Sequence, residues 1–308
     1  MKSDTFTYKT DDGTNVFVYR WLPKKGKPKA AVQISHGMAE HAARYERFAK
    51  ALVKEGYAVY ASDHRGHKMT AGNLENVGFF AKENGWRRVV DDMFQLTGII
   101  KKENPGVPFF LFGHSMGSML SRNYIFLYGK EIDGVIISGT SGDPGLLGKI
   151  GLIIAKREKR KKGEKFRSDL LTKLSFGEFN KPFKPARTEY DWLSRDEAEV
   201  DKYVDDPYCG GVFTTSFFVD LIDGVNVIHD KKNIAKTPKD LPMFIFSGDK
   251  DPVGKDGKGV RSVHKLYEKA GLKDLKLKLY PGARHEMLNE TNREEVQKDI
   301  IEWLNDHV

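Results

Sequence analysis

Phe109-Phe110-Leu111-Phe112 runs without a polar side chain into Gly113-His114-Ser115-Met116-Gly117-Ser118, and helix-forming sequence follows at once. A strand, a tight turn and a helix in that order, with Gly-x-Ser-x-Gly at the turn, is the setting in which a serine hydroxyl stands exposed at the end of a sheet. A Cβ at position 113 or 117 would collide with the neighbouring strand or helix, and the turn forces Ser115 into strained backbone geometry. The helix start beneath it favours the negative charge that develops in acyl transfer. The pentapeptide alone is a weak signal, because glycine and serine also build ordinary strand-to-helix turns. A serine nucleophile further requires a base and a group that orients the base.

The rest of the chain supplies a sheet for that turn. Phe6–Lys9 and Asn15–Trp21 alternate apolar and polar residues around Asp11-Asp12-Gly13, which predicts an antiparallel hairpin. Ala30–Ser35, Tyr57–Ala61 and Gly134–Gly139 are short apolar runs suited to buried parallel strands. Helical spacing of Tyr45, Phe48, Ala49, Leu52 and Val53 predicts a helix that Gly56 stops, and Trp86–Lys102 predicts another that ends before Pro105. Later strands are expected at Leu241–Ser247 and Leu275–Tyr280, with helices at Gly259–Ala270 and Arg293–Asp306. The pattern is an α/β fold: a mostly parallel sheet covered by helices on both faces, which binds ligands beyond the C-terminal strand ends.

Between 141 and 234 the alternation stops. This polar stretch carries Phe176, Phe179, Phe183, Tyr190, Trp192, Phe213, Phe217 and Phe218 but no strand-length apolar run, and Thr215–Val225 has helical periodicity. The expected organisation is a core of residues 1–140 and 235–308 interrupted by a helical cap at 141–234.

Composition narrows the remaining classes. With 308 residues, 39% hydrophobic and 31% charged, the chain can bury one large core plus an insertion. No apolar run approaches the roughly 20 residues of a membrane span. The segment Met1-Lys2-Ser3-Asp4-Thr5 lacks the apolar core of a signal peptide, and Cys209 is the one cysteine, so the expected location is cytoplasmic. The net charge is +8, and much of the excess falls in Lys156–Lys165. Such a run suits a solvated helix face or loop, or attraction to anionic lipid headgroups or phosphorylated substrates. No aromatic-interleaved basic platform accompanies it, which argues against nucleic acid.

Partners for Ser115 follow the two late strands. Gly248-Asp249-Lys250-Asp251-Pro252 comes after the first, and Pro281-Gly282-Ala283-Arg284-His285-Glu286 after the second. In a parallel sheet these loops share an edge with Ser115, and the chain order Ser, Asp, His is that of α/β-hydrolases. His285 stands apart from the other histidines by its place between the last strand and the last helix. His114 is expected to pack within the turn, His36 to brace the loop after Ala30–Ser35, and His229 and His264 lack strand-end positions. Either Asp249 or Asp251 could serve, since aspartate also favours turns for its own backbone hydrogen bonds.

The chain resembles the monoacylglycerol lipase and lysophospholipase group of serine α/β-hydrolases, also classed as serine aminopeptidase-like hydrolases. The resemblance spans nearly the whole sequence and rests on Ser35-His36-Gly37-Met38-Ala39-Glu40-His41 with Arg44-Tyr45, Ser62-Asp63-His64-Arg65-Gly66-His67, Gly113–Gly117, Gly248–Asp251 and Arg284-His285-Glu286. It implies Ser115 as nucleophile, His285 as general base and Asp251, just before Pro252, as the residue that orients it. It also implies an oxyanion hole from the backbone amides of Met38 and Met116. Lys68-Met69-Thr70 departs from the glycine and serine usual after Gly66-His67. The implied reaction is ester hydrolysis through an acyl-enzyme, with monoacylglycerols or lysophospholipids as substrates, no metal or organic cofactor, and an anionic lipid surface as an expected contact. Short-chain carboxylesterase action stays open, as does amide cleavage by the same triad.

Overall fold

The computed structural model describes residues 1–308. Eight strands form one sheet: β1 (Lys2–Lys9), β2 (Asn15–Leu22), β3 (Ala30–Ser35), β4 (Tyr57–Ser62), β5 (Phe109–His114), β6 (Gly134–Ser138), β7 (Met243–Gly248) and β8 (Leu275–Tyr280), in the order β1-β2-β4-β3-β5-β6-β7-β8. The hairpin β1–β2 and the β2–β4 pair are antiparallel; every pairing from β4 through β8 is parallel. The loops after β3, β5, β7 and β8 therefore leave the sheet at one edge.

Burial explains why these segments are strands. Every residue of β3, β4, β5, β6 and β7 is buried, as strands covered on both faces must be, hence their near-continuous apolar sequence. β8 lies at the sheet edge and alternates leucine with Lys276 and Lys278, charges that discourage pairing with another chain.

Helices cover both faces. Glu46–Lys54 and Arg293–Asn305 bury Phe48, Leu52, Ile300 and Trp303 against Phe112, Phe244 and Phe246. On the other face Gly85–Glu103, Met116–Tyr128 and Lys258–Lys269 bury Val89, Leu96, Leu120, Tyr124 and Val263 against Leu111, Val135 and Ile245.

Between β6 and β7 lie helices Gly145–Lys162, Asp169–Phe176, Glu197–Asp205, Thr215–His229 and Lys231–Ile234, with no strand among them. Helix Thr215–His229 belongs to the main core: Phe217 and Phe218 are fully buried, and Gly224 sits so close to Trp86 that a Cβ there would fall 2.2 Å from the indole. Most of the basic run, Lys156–Lys162, lies on the C-terminal half of Gly145–Lys162, supported by the i,i+4 pair Glu158–Lys162.

One contact fixes the turn around Ser115. A Cβ on Gly117 would lie 2.0 Å from the Ser35 carbonyl oxygen at the end of β3, and one on Gly113 would lie 2.4 Å from the Gly117 carbonyl oxygen. Both neighbours are backbone and cannot rotate away. Gly117→Ala is therefore expected to cost about 3 kcal/mol or more. Gly98→Ala, in open space on helix Gly85–Glu103, is expected to stabilise by roughly 0.5–1 kcal/mol. Chemical denaturation of the two variants checks the contrast.

Candidate active site

Ser115 occupies the point where β5 turns into helix Met116–Tyr128, with φ 52° and ψ −120°. A non-glycine residue rarely holds a positive φ, and here several bonds maintain it. The Ser115 amide donates to the Ser138 carbonyl at 2.9 Å, while its own carbonyl accepts from the Ser118 and Met119 amides at 2.9 and 3.2 Å. The side chain is half-buried and its Oγ makes no hydrogen bond in this geometry.

Asp251 and His285 come together from the loops after β7 and β8. His285 Nδ1 lies 3.0 Å from Asp251 Oδ2, close enough to bond although the N–H is not aimed along that line. Asp251 is fully buried; its Oδ2 also accepts from Ser247 Oγ at 2.7 Å and its Oδ1 from the Val253 amide at 2.9 Å. Burial alone would raise its pKa, but the His285 imidazole and these donors outweigh burial and hold it below the ordinary carboxylate value. For His285, burial pushes downward, and the carboxylate of Asp251, then those of Glu286 and Glu40, lift the imidazole above the ordinary 6.5. Asp249 instead accepts from the Gly282 amide at 2.8 Å and braces the turn after β8.

His285 is 2% exposed because three groups enclose it. The His114 ring is 4.7 Å away centroid to centroid, the Trp192 ring 5.1 Å, and Gly139, after β6, lies against the His285 ring. His114 packs within the turn as expected, with Nδ1 3.2 Å from Ser138 Oγ, and burial drives its pKa down to about 3. Trp192 belongs to the 141–234 segment, where its sequence context gave no sign of its partner. The segment is tied down there: the Glu286 amide donates to the Leu193 carbonyl at 2.7 Å, and Arg284 donates to the carbonyls of Asp191 and Ser194.

The loop after β3 leaves the Met38 amide without an acceptor. His36 Nε2 accepts from the His64 amide at 2.9 Å, so the ring proton sits on Nδ1 and is donated to the Gly37 carbonyl at 2.7 Å. Glu40 Oε1 takes the Gly37 amide at 2.6 Å. A trans peptide points its C=O and N–H in opposite directions, so anchoring the Gly37 carbonyl turns the Met38 N–H the other way. The Met38 amide donates to nothing in the fold, and Met116, first in its helix, has no intrahelical acceptor. The contact of Gly117 with Ser35 brings these two stretches together.

The unusual Lys68 also finds a role. With φ 29°, it sets its ammonium 3.0 Å from His41 Nε2 and 3.5 Å from Asp206 Oδ2, joining the loop after β4 to the segment between β6 and β7. His41, Asp206 and Cys209 group their ligand atoms within 4.8 Å, with that ammonium beside them.

Residues 26–292 match the family described as "Serine aminopeptidase, S33". The chain belongs to that family. It is 30% identical to the monoglyceride lipase of Homo sapiens, with 96% of this chain and 86% of that one covered. It is 27% identical to the monoacylglycerol lipase of Mycolicibacterium smegmatis, over 96% and 95%. The crystal structure of a thermostable carboxyl esterase from Bacillus coagulans superposes with a TM-score of 0.92 at 29% identity, covering 100% of this chain and 99% of that one. This S33 chain is thus a hydrolase of the α/β-hydrolase fold.

The two aspartates of the β7 loop make distinct predictions. Asp251→Asn is expected to lower kcat by roughly 10³- to 10⁴-fold, as losing the group that sets imidazole tautomer and charge does elsewhere. Asp249→Asn, at a bracing bond, is expected to change kcat by less than about threefold and to show mainly in thermal stability. Steady-state ester hydrolysis by both variants checks the assignment.

Proposed function

We propose that this S33 hydrolase cleaves carboxylic esters of monoacylglycerol or lysophospholipid type through an acyl-enzyme on Ser115. The reading rests on one observation above all: a buried Asp251–His285 pair, 3.0 Å apart, at the same sheet edge as a strained Ser115. His285 Nε2 takes the Oγ proton as Oγ attacks the ester carbon, and Met38 and Met116 amides hold the resulting oxyanion. The imidazolium, stabilised by Asp251, then protonates the leaving alcohol, and a water activated by His285 releases the acid. The bond between Oγ and the imidazole closes in the substrate complex.

Amide cleavage from an amino terminus would need a free carboxylate for the substrate ammonium. Glu40 and Glu286 are engaged by Arg44, and Asp206 by His41 and Lys68. That arrangement favours esters.

Lipid substrates fit the outer surface. We read 141–234 as a cap, and its helix Gly145–Lys162 exposes Leu146, Leu147, Ile150 and Ile153, up to 76% for Leu147. Arg157, Arg160 and Lys161 continue the stripe on the same solvent-facing side. An apolar stretch followed by positive charge suits an anionic lipid surface, where each basic residue contributes about 1 kcal/mol.

A fluorophosphonate probe is expected to label Ser115 in the wild type and not in Ser115→Ala, and monoacylglycerols to outpace p-nitrophenyl acetate in kcat/KM. Labelling that survives Ser115→Ala would overturn the reading. The acid limb of kcat/KM should centre above pH 6.5, because His285 must be neutral to act and its pKa is raised. The triple variant Arg157→Gln, Arg160→Gln, Lys161→Gln should bind vesicles containing anionic lipid at least about tenfold more weakly, with hydrolysis of a soluble ester unchanged.

A further inference from the structure

We propose that Arg44 is a positioning residue that locks the oxyanion loop and the His285 loop into one unit. Its guanidinium forms a two-pronged pair with Glu286, Nη1 to Oε1 at 2.6 Å and Nη2 to Oε2 at 2.7 Å, on the residue next to His285. Nη1 also reaches Glu40 Oε2 at 2.9 Å. The other oxygen of Glu40 is committed to the loop itself, accepting from the Gly37 amide at 2.6 Å and from Tyr45 Oη at 2.7 Å. One side chain thus spans from the peptide before Met38 to the residue after the base. The Tyr203 ring lies 4.9 Å over the guanidinium and Asn289 Nδ2 donates to Glu286 Oε2 at 2.8 Å, so the assembly is walled in.

Burial makes the arrangement exacting. Glu40 is 3% exposed and Glu286 6%, so neither carboxylate can be left to water. Only a planar fork with several donors in fixed directions serves both at once; an ammonium offers a point charge without that geometry. The two carboxylates outnumber the guanidinium, and the excess negative charge lies beside His285. The ionisable groups around that imidazole are Asp251, His114, Glu286 and Glu40, with Arg44 between the last two. The cluster therefore acts twice on the same reaction. It holds the Met38 amide where an oxyanion forms, and it favours the imidazolium that forms with it.

This inference rests on the triad reading above, and the variants separate the two. Arg44→Lys keeps the charge and loses the fork; its kcat is expected to fall about 10- to 100-fold, the cost of a small misplacement, with KM and the acid limb of kcat/KM unchanged. Glu286→Gln keeps the shape and removes the charge; its acid limb is expected to move to lower pH and its plateau to fall. In Arg44→Lys combined with Glu40→Gln, the losses should be less than multiplicative, since both act through the Gly37 amide. Fluorophosphonate labelling of Ser115 in the wild type shows whether the triad reading itself holds. With labelling intact, an unchanged kcat in Arg44→Lys and an unmoved limb in Glu286→Gln, measured below each variant's Tm, would overturn the positioning role. Should Arg44→Lys fail to fold, the limb of Glu286→Gln and the kcat of Glu40→Gln decide the matter alone.

Discussion

The approach of helix Met116–Tyr128 to the end of β3 is the constraint from which the site is built. Gly117 rests so near the Ser35 carbonyl that no side chain fits between them. Because β3 and β5 are adjacent and parallel, that contact sets the helix start beside the loop that follows β3. Met38, in that loop, and Met116, at the helix start, both carry amides without internal acceptors. The positive φ at Ser115 is the local cost of this closeness, of order 1–3 kcal/mol, and the surrounding bonds to Ser138, Ser118 and Met119 sustain it. The positive φ at Ser115 and the closeness of its helix to the loop after β3 are thus two consequences of one packing event.

A second principle governs the charges. Asp251, Glu40 and Glu286 are all buried, and each meets fixed donors, so none is an isolated charge in a poor dielectric. Such arrangements add little net stability compared with apolar packing, but breaking one partner away is costly. Around His285 their effect is on geometry and field: they tie the two loops together and lift the imidazole. The histidines nearby are treated in the opposite way. Burial pushes His36, His64 and His114 down, so they stay neutral and serve as hydrogen-bonding spacers, while His285 alone among these four is lifted.

How far the sequence disclosed all this depended on the range of each interaction. Strands Ala30–Ser35 and Leu275–Tyr280 coincide with expectation to the residue, because burial on two faces or alternation at an edge leaves a direct imprint on composition. The strand expected from Leu241 begins at Met243, since Pro242 has no N–H to give a ladder. The helix after Ser115 starts at Met116, where packing against β3 overrides the poor propensity of Gly117. Helix Gly145–Lys162 escaped notice because Gly145, Gly148 and Gly151 lower its propensity and its outer face is apolar, so no inward stripe marks it. Strand order brings the loop after β7 to the same edge as His285, but the choice of Asp251 over Asp249 comes from the resemblance, by its place before Pro252. The bond between Arg44 and Glu286 crosses 242 residues, and nothing in the local pattern of either residue names the other.

The segment between β6 and β7 is not one body. Helix Thr215–His229 is set in the main core beneath Trp86 and Phe80. The stretch from Asp191 to Asp196 is bound to the His285 loop and beyond by Arg284, by Ser194 to the Asn289 carbonyl at 2.8 Å, and by the pairs Arg195–Glu290 and Arg293–Asp196 at 2.8 and 2.7 Å. Trp192 is consequently a fixed wall of the site: displacing it would strip partners from Glu290, a fully buried carboxylate. Helices Gly145–Lys162 and Asp169–Phe176 differ in kind. Between them they bury fully only Ala155 and Leu171 and expose six large aliphatic side chains, Leu146, Leu147, Ile150, Ile153, Leu170 and Leu174. Local opening costs least where few apolar contacts are lost, so these two helices are the part of the segment most easily displaced.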